Sequence, residues 1–220
     1  LTKSIIKNTP FKTTRRTFFK KSALLTAGLA SMPLMNFSQN VPISTLESIY
    51  LIGPQEGYSP QIGTLLSTMT MMRTWVIQTV KDLTVEQLDF QIDDQSNSIG
   101  AMLLHLAATE KYYQLNTFDN MEWGTWDDDV KKVWDVPSGL GEAGREQIKG
   151  NSIDYYLNKL EEVRAVTKVE FAKRDDDWIM KTEPFFSGEP TNNYCKWFHV
   201  CEHESNHRGQ MKFIIKRLPS

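Results

Sequence analysis

Three of the four histidines in this chain, His199, His203 and His207, stand four residues apart, and the fourth, His105, lies far upstream. Residues four apart on an α-helix sit one turn above each other on the same face, so two neighbouring imidazoles there can point at one ion. All three cannot. The outer two are separated by about 12 Å along a helix axis, whereas metal–nitrogen bonds measure about 2.0–2.1 Å. Spacing therefore leaves two pairs open, His199 with His203 or His203 with His207, and a further ligand must come from another element. A lone histidine on an apolar helix face is ordinarily a hydrogen-bonded core residue. A pair at four-residue spacing with a third histidine on a second helix points instead to a metal site.

Two sharper motifs overlap this run. His203-Glu204-Ser205-Asn206-His207 matches H-E-x-x-H, the zinc-peptidase helix in which Glu is the general base. Its third ligand has to follow downstream, and residues 208–220 contain no His, Asp, Glu or Cys. A zinc peptidase is therefore the weakest reading of this chain. Glu204 to His207 also spells the E-x-x-H of di-iron bundles, which need a second such pair and two more Glu. His105 has Met102, not Glu, three positions before it.

The elements that must position these residues are read from apolar periodicity. Ile62, Leu65, Leu66, Met69, Met72, Val76 and Val80 recur at spacings of three and four, predicting a first helix from Pro60 to about Asp82. Ser98 caps a second helix carrying Ile99, Met102, Leu103, Leu106 and Ala107, with His105 at its middle, ending near Phe118. Residues 119–150, rich in acids, Gly and Pro, read as a long irregular crossover with one short helical turn between Asp127 and Trp134. A third helix runs from Ser152 to about Lys173. Residues 174–190 read as a loop or short extended stretch, since Pro184 and Pro190 break any helix. The fourth helix, capped by Thr191, Asn192 or Asn193, continues to about Arg217 and carries the three spaced histidines. With no run of alternating strands and no internal repeat, the fold class is all-α, a four-helix bundle with a long crossover between its second and third helices. Trp123, Trp126, Trp134, Tyr112 and Tyr113 are expected to anchor that crossover on the bundle, the alternative being a cover over the metal mouth.

Leu83-Thr-Val-Glu-Gln-Leu-Asp89, Asn97-Ser-Ile-Gly-Ala-Met-Leu-Leu-His105 and His199-Val-Cys-Glu-His-Glu-Ser-Asn-His-Arg-Gly-Gln210 together resemble the DinB-like (YfiT-like) metal-binding four-helix bundles, over roughly residues 60–218. The resemblance implies a metal held by His105, His203 and His207, with His199 one turn away as a lining or packing residue. Three imidazoles from two helices leave coordination positions open, as in catalytic rather than structural sites. Imidazole suits Zn, Ni or Fe without choosing among them. The function expected is a metal-dependent enzyme, performing thiol transfer or hydrolysis of a small electrophilic substrate, and the alternative is a noncatalytic metal-binding or stress-related protein. No general base is visible. Glu110, five residues after His105 and about 140° further round the helix, is expected on the surface or behind the ligands. Gly209 is expected to let a neighbouring helix approach, and Gln210 to offer a hydrogen bond behind His207.

Composition sets the outer bounds. The chain has 220 residues, 40% hydrophobic and 24% charged, which excludes a disordered, collagen-like or multi-span membrane chain. Residues 1–38 hold seven Lys/Arg and no acid, leaving 18 basic against 27 acidic residues in the remainder, a net −9. A body this acidic, with no basic stripe, excludes nucleic acid as a partner. Within 1–38, Thr14-Arg15-Arg16-Thr17-Phe18-Phe19-Lys20-Lys21 precedes a weakly apolar run, the pattern of a twin-arginine export signal. The expected organisation is a signal peptide at 1–38, a linker at 39–59 and the bundle at 60–218, in an exported, periplasmic protein. Its expected partners are the export machinery and a small-molecule substrate or thiol, with a homodimer left open. Cys195 and Cys201, about 9 Å apart along one helix, cannot reach the ~7 Å Cα separation a disulfide needs, so both are expected to be free and mostly buried. Replacing Arg15 and Arg16 by Lys is expected to trap the protein in the cytoplasm; unchanged recovery from the periplasm would remove the export expectation.

Overall fold

Each of the four apolar-periodic stretches folds as a long helix in the computed structural model, which describes residues 48–185 and 188–219. The leader at 1–38 and residues 39–47 of the linker lie outside the described residues. In chain order the elements are α1 (Pro60–Val80), α2 (Val85–Asp89), α3 (Ile99–Thr117), α4 (Asp128–Gly139), α5 (Gly141–Gln147), α6 (Ile153–Phe171), α7 (Asp176–Met180), β1 (Thr182–Pro184), β2 (Pro190–Asn192) and α8 (Asn193–Ile215). Helix starts follow the capping residues. Ser98 Oγ accepts from the Ala101 N–H at 3.2 Å, and Asn192 Oδ1 from the Cys195 N–H at 2.8 Å, each satisfying an amide that has no partner inside its helix.

The long helices close a ring: α1 packs along α8, α8 along α3, α3 along α6, and α6 returns to α1. This is the four-helix bundle that the periodicity predicts. Its core has two main clusters, one around Val76, Leu103, Tyr156, Leu160 and Met211, the other around Ile62, Met69, Phe171 and Trp197. Gly100 permits the α3–α6 approach, because a Cβ there would lie 2.6 Å from the Tyr156 hydroxyl. Gly209, expected to serve such an approach, does not: a Cβ there would meet nothing within 4 Å.

The connections hold more structure than their composition promised. The crossover contains two helices, α4 and α5, hinged at Leu140, whose φ is 52°. Trp126 is buried against Tyr112, their ring centroids 5.1 Å apart, and Trp123 packs on Tyr113 at 5.0 Å, so these aromatics do anchor the crossover on α3. Residues 174–190 include α7 and the first strand of a short antiparallel hairpin, β1 with β2, in the register Glu183↔Thr191. Both cysteines are free, as their spacing requires, but Cys195 is exposed and only Cys201 is buried.

The bundle's interior is not uniformly apolar. Arg73 of α1, Glu110 of α3, Arg164 of α6 and Glu204 of α8 meet there, one charge from each long helix. Arg73 Nη2 lies 2.8 Å from Glu110 Oε2 and 2.7 Å from Glu204 Oε1; Arg164 Nε lies 2.8 Å from Glu110 Oε1 and its Nη2 2.8 Å from Glu204 Oε1. Thr167 donates to Glu110 Oε1 at 2.7 Å, and Arg73 Nη1 donates to the Leu160 carbonyl at 2.7 Å. Glu110 is thus at the centre of the bundle and not on its surface. Burial alone would raise its pKa, but Arg164 and Arg73 outweigh that and hold the carboxyl below its ordinary value. Removing one partner of such a cluster strands a buried charge. Arg164→Met is therefore expected to cost about 3–5 kcal/mol in urea unfolding at neutral pH, and a loss under about 1 kcal/mol would show that the cluster does not couple the helices.

Candidate metal centre

His203 and His207 lie one turn apart on α8, and α8 packs along α3 at the level of His105. The His105 and His203 Nε2 atoms are 2.8 Å apart, and the His207 and His203 Nε2 atoms 3.2 Å. Two nitrogens bound to one tetrahedral ion at about 2.0–2.1 Å would stand about 3.3 Å apart. Both separations from His203 therefore already stand close to what a shared ion requires, and the ligand atoms of all three residues lie within 4.8 Å of one another. Glu204, between them in sequence, turns the other way into the charged cluster with Arg73 and Arg164. It cannot serve as the base of an H-E-x-x-H site, which removes the peptidase reading on geometric grounds.

The orientation of His105 is set by the crossover. Its Nδ1 lies 3.0 Å from the carbonyl oxygen of Pro137. That oxygen belongs to the last turn of α4, where carbonyls have no partner within the helix. A carbonyl only accepts, so Nδ1 carries the hydrogen and the Nε2 lone pair faces the other two rings. His207 Nδ1 is buried, and Gln210 beside the ring acts on it against the effect of burial. The Gln210 amide also reaches Asn206 Oδ1 at 3.5 Å.

All three rings are held neutral. Burial lowers the pKa of His105 against the opposing bond to Pro137. Burial, with His207, His105 and His199 as neighbours, pushes His203 down to about 3, and burial with His105 beside it pushes His207 down to about 4. Neutral imidazole is the ligand form. The donor set is thus all nitrogen, uncharged and convergent, and fits a borderline divalent ion such as Zn, Ni or Fe. His199 lies on the outer side of His203, ring centroids 5.0 Å apart; its Nδ1 lies 3.0 Å from Glu202 Oε1 near the surface, and its ring packs on Tyr113 with centroids 5.8 Å apart.

The profile of the DinB superfamily matches residues 68–211, a span containing all four histidines and the whole charged cluster. The chain belongs to the DinB superfamily. No curated protein matches it. Among solved structures, this DinB-superfamily chain is similar to a conserved protein from Enterococcus faecalis, with 13% identity over 68% of this chain and 92% of that one and a TM-score of 0.52. It is also similar to a DinB-like protein from Bacillus cereus, with 19% identity over 70% and 90% of the two chains and a TM-score of 0.43. The first likeness is one of fold alone.

Arg73 and Arg164 carry no motif, yet the sequence holds a signal for both. Arg73 falls four residues after Met69 and Arg164 four after Leu160, each on the apolar stripe of its helix. A charge on such a stripe has to find a buried partner.

The depressed histidines make the metal-free protein sensitive to acid. Because the folded pKa values of His203 and His207 lie below the unfolded value of about 6.5, the unfolded chain takes up protons first as pH falls. Their stabilising contribution is complete above about 6.5 and is lost towards about 4 and 3. The urea midpoint of the metal-free protein is expected to fall from pH 7 to pH 5, a window above ordinary carboxylate titration, and His203→Asn should flatten the slope. An equal slope in both proteins would place the titrating groups elsewhere.

Proposed function

We propose that this DinB-superfamily chain is an exported divalent-metal protein of the YfiT-like type. Its His105, His203 and His207 centre would serve thiol transfer to, or hydrolysis of, a small electrophilic substrate. The observation that carries the reading is the convergence of three neutral Nε2 atoms from two helices, with the His105 tautomer fixed from behind by Pro137. A divalent ion held there supplies Lewis acidity towards a water or a thiol. The chain's own contribution is to hold three rings deprotonated and, among the described residues, to bring no fourth ligand to them. Among the described residues, the other cluster able to hold a metal is His199, Glu202 and His203, which lies nearer the surface and shares His203.

The bundle's cohesion favours a catalytic over a structural ion. The four long helices are already joined by the Arg73, Glu110, Arg164 and Glu204 cluster and by two apolar cores, none of which uses the histidines. Stripping the ion should therefore leave a folded bundle, whereas a structural ion would take folding with it. Export rests on the twin-arginine pattern at residues 14–21; no helix among the described residues is long and apolar enough to cross a membrane.

Elemental analysis of the purified protein and its variants tests the centre. His203→Ala is expected to abolish binding, and His105→Ala and His207→Ala to lose orders of magnitude in affinity. His199→Ala should lose at most the ~10- to 100-fold typical of a supporting residue. Stoichiometric metal in His207→Ala with loss in His199→Ala would move the centre one turn towards the start of α8. For the metal-loaded protein, azide or a thiol should perturb the spectrum of a Co(II)-substituted centre, and an inert spectrum would favour the noncatalytic reading.

A further inference from the structure

Beside the histidines, the α3–α8 groove opens into a cleft of about 530 Å³ lined by Gln95, Asn97, Met102, Asn206, Gln210 and Phe213, together with Gly209. Met102 lies one turn before His105 on α3, and Gln210 one turn after His207 on α8, so the cleft adjoins the centre along both helices that supply its ligands. Four carboxamides line it and, among the described residues, no charged side chain does. The nearest charges stand at its rim, each held by a residue that lines it, Phe213, Gln95 or Ser96. Arg217 lies over the Phe213 ring at 3.4 Å, Arg145 donates to the Gln95 carbonyl at 3.2 Å, and Asp93 accepts from Ser96 Oγ at 2.7 Å. Asn97 Oδ1 is buried with no hydrogen-bond partner.

Gly209 gives the cleft a second, independent mark. A glycine inside an exposed helix face costs about 1 kcal/mol against alanine. Packing does not require one at this position, since a Cβ would meet nothing within 4 Å. Gly209 is exposed and borders the cleft, so a side chain at 209 would stand at its edge.

We propose that this cleft binds an uncharged, amide-bearing small molecule with a short apolar substituent, the amides pairing with Asn97, Asn206 and Gln210 and the substituent lying on Met102 and Phe213. Carboxamides offer both donors and acceptors but no counter-charge, so an ionised ligand would lose hydration there without compensation. As the identity of the substrate for the metal centre, this inference rests on the reading given above; as a binding site it does not.

The probe is N-acetyl-leucinamide, compared with the anion N-acetyl-leucine and the cation leucinamide, titrated into the metal-loaded full chain with the side-chain amide resonances as readout. The neutral probe is expected to shift the Asn97, Asn206 and Gln210 signals and to bind at least about tenfold more tightly than either ion. Gly209→Leu, a substitution that improves helix propensity, should retain the metal and weaken the probe at least about tenfold. Gln210→Ala, on the opposite rim, should weaken it as well. Equal binding of the three probes, unchanged binding in both variants, or no shift at tens of millimolar would overturn the proposal. In Co(II)-loaded protein, broadening of the probe's protons would place it beside the ion. Metal without probe binding sinks the cleft alone, and probe binding without metal sinks the metal reading alone.

Discussion

The structure turns on the buried cluster of Arg73, Glu110, Arg164 and Glu204. Each long helix contributes one charge, and each carboxylate is bridged by both guanidinium groups. Burying four charges costs several kcal/mol of desolvation per ion, and breaking the set leaves that cost uncompensated. The cluster is therefore a constraint on geometry before it is a source of stability. Any rotation of one helix that carried its charge out of register would strand the other three.

That constraint reaches the histidines directly. α3 carries both Glu110 and His105, and α8 carries both Glu204 and His203 with His207. At about 100° per residue, fixing Glu204 between α1 and α6 leaves His203 and His207 free to face α3, and fixing Glu110 does the same for His105. The carboxylates and the imidazoles thus divide two helices between them. One set of faces holds the bundle together, and the other presents three nitrogens to a shared point. The crossover completes the arrangement, since the carbonyl of Pro137 at the end of α4 supplies the acceptor that sets the His105 ring.

Beside this centre the α3–α8 groove carries carboxamides and an open glycine rather than charge. The four-charge cluster thus lies at the bundle's centre and the histidine cluster in the groove. Neutral hydrogen bonding is offered at the groove's mouth. The same division explains why a stretch spelling H-E-x-x-H does none of the chemistry of that motif: its Glu is spent inside the bundle.

Much of this was legible in the linear chain. Apolar spacing and caps located all four long helices, Ser98 marked the start of one and Asn192 was among three candidates for another, and the four-residue spacing of the histidines allowed only an adjacent pair on that face to share an ion. These features depend on contacts within a few residues of each other, which is why a sequence displays them. What spacing could not choose was the pair, since His199 with His203 satisfies helix geometry as well as His203 with His207; the family resemblance implied the second, and only the packing of α3 against α8 brings that pair to His105. Glu110 shows the same limit from the other side. An angle of 140° from His105 separates it from the histidine cluster, but whether that direction leads to water or to the interior depends on which helix lies there, and Arg73 and Arg164 are 37 and 54 residues away in the chain. Composition also concealed α5 and the later part of α4, of which only a short turn between Asp127 and Trp134 was expected, because Pro137 and the run of Gly beyond it read as helix breakers. Local geometry was determined by the sequence alone; the choice among its alternatives belonged to partners that only the tertiary structure brings together.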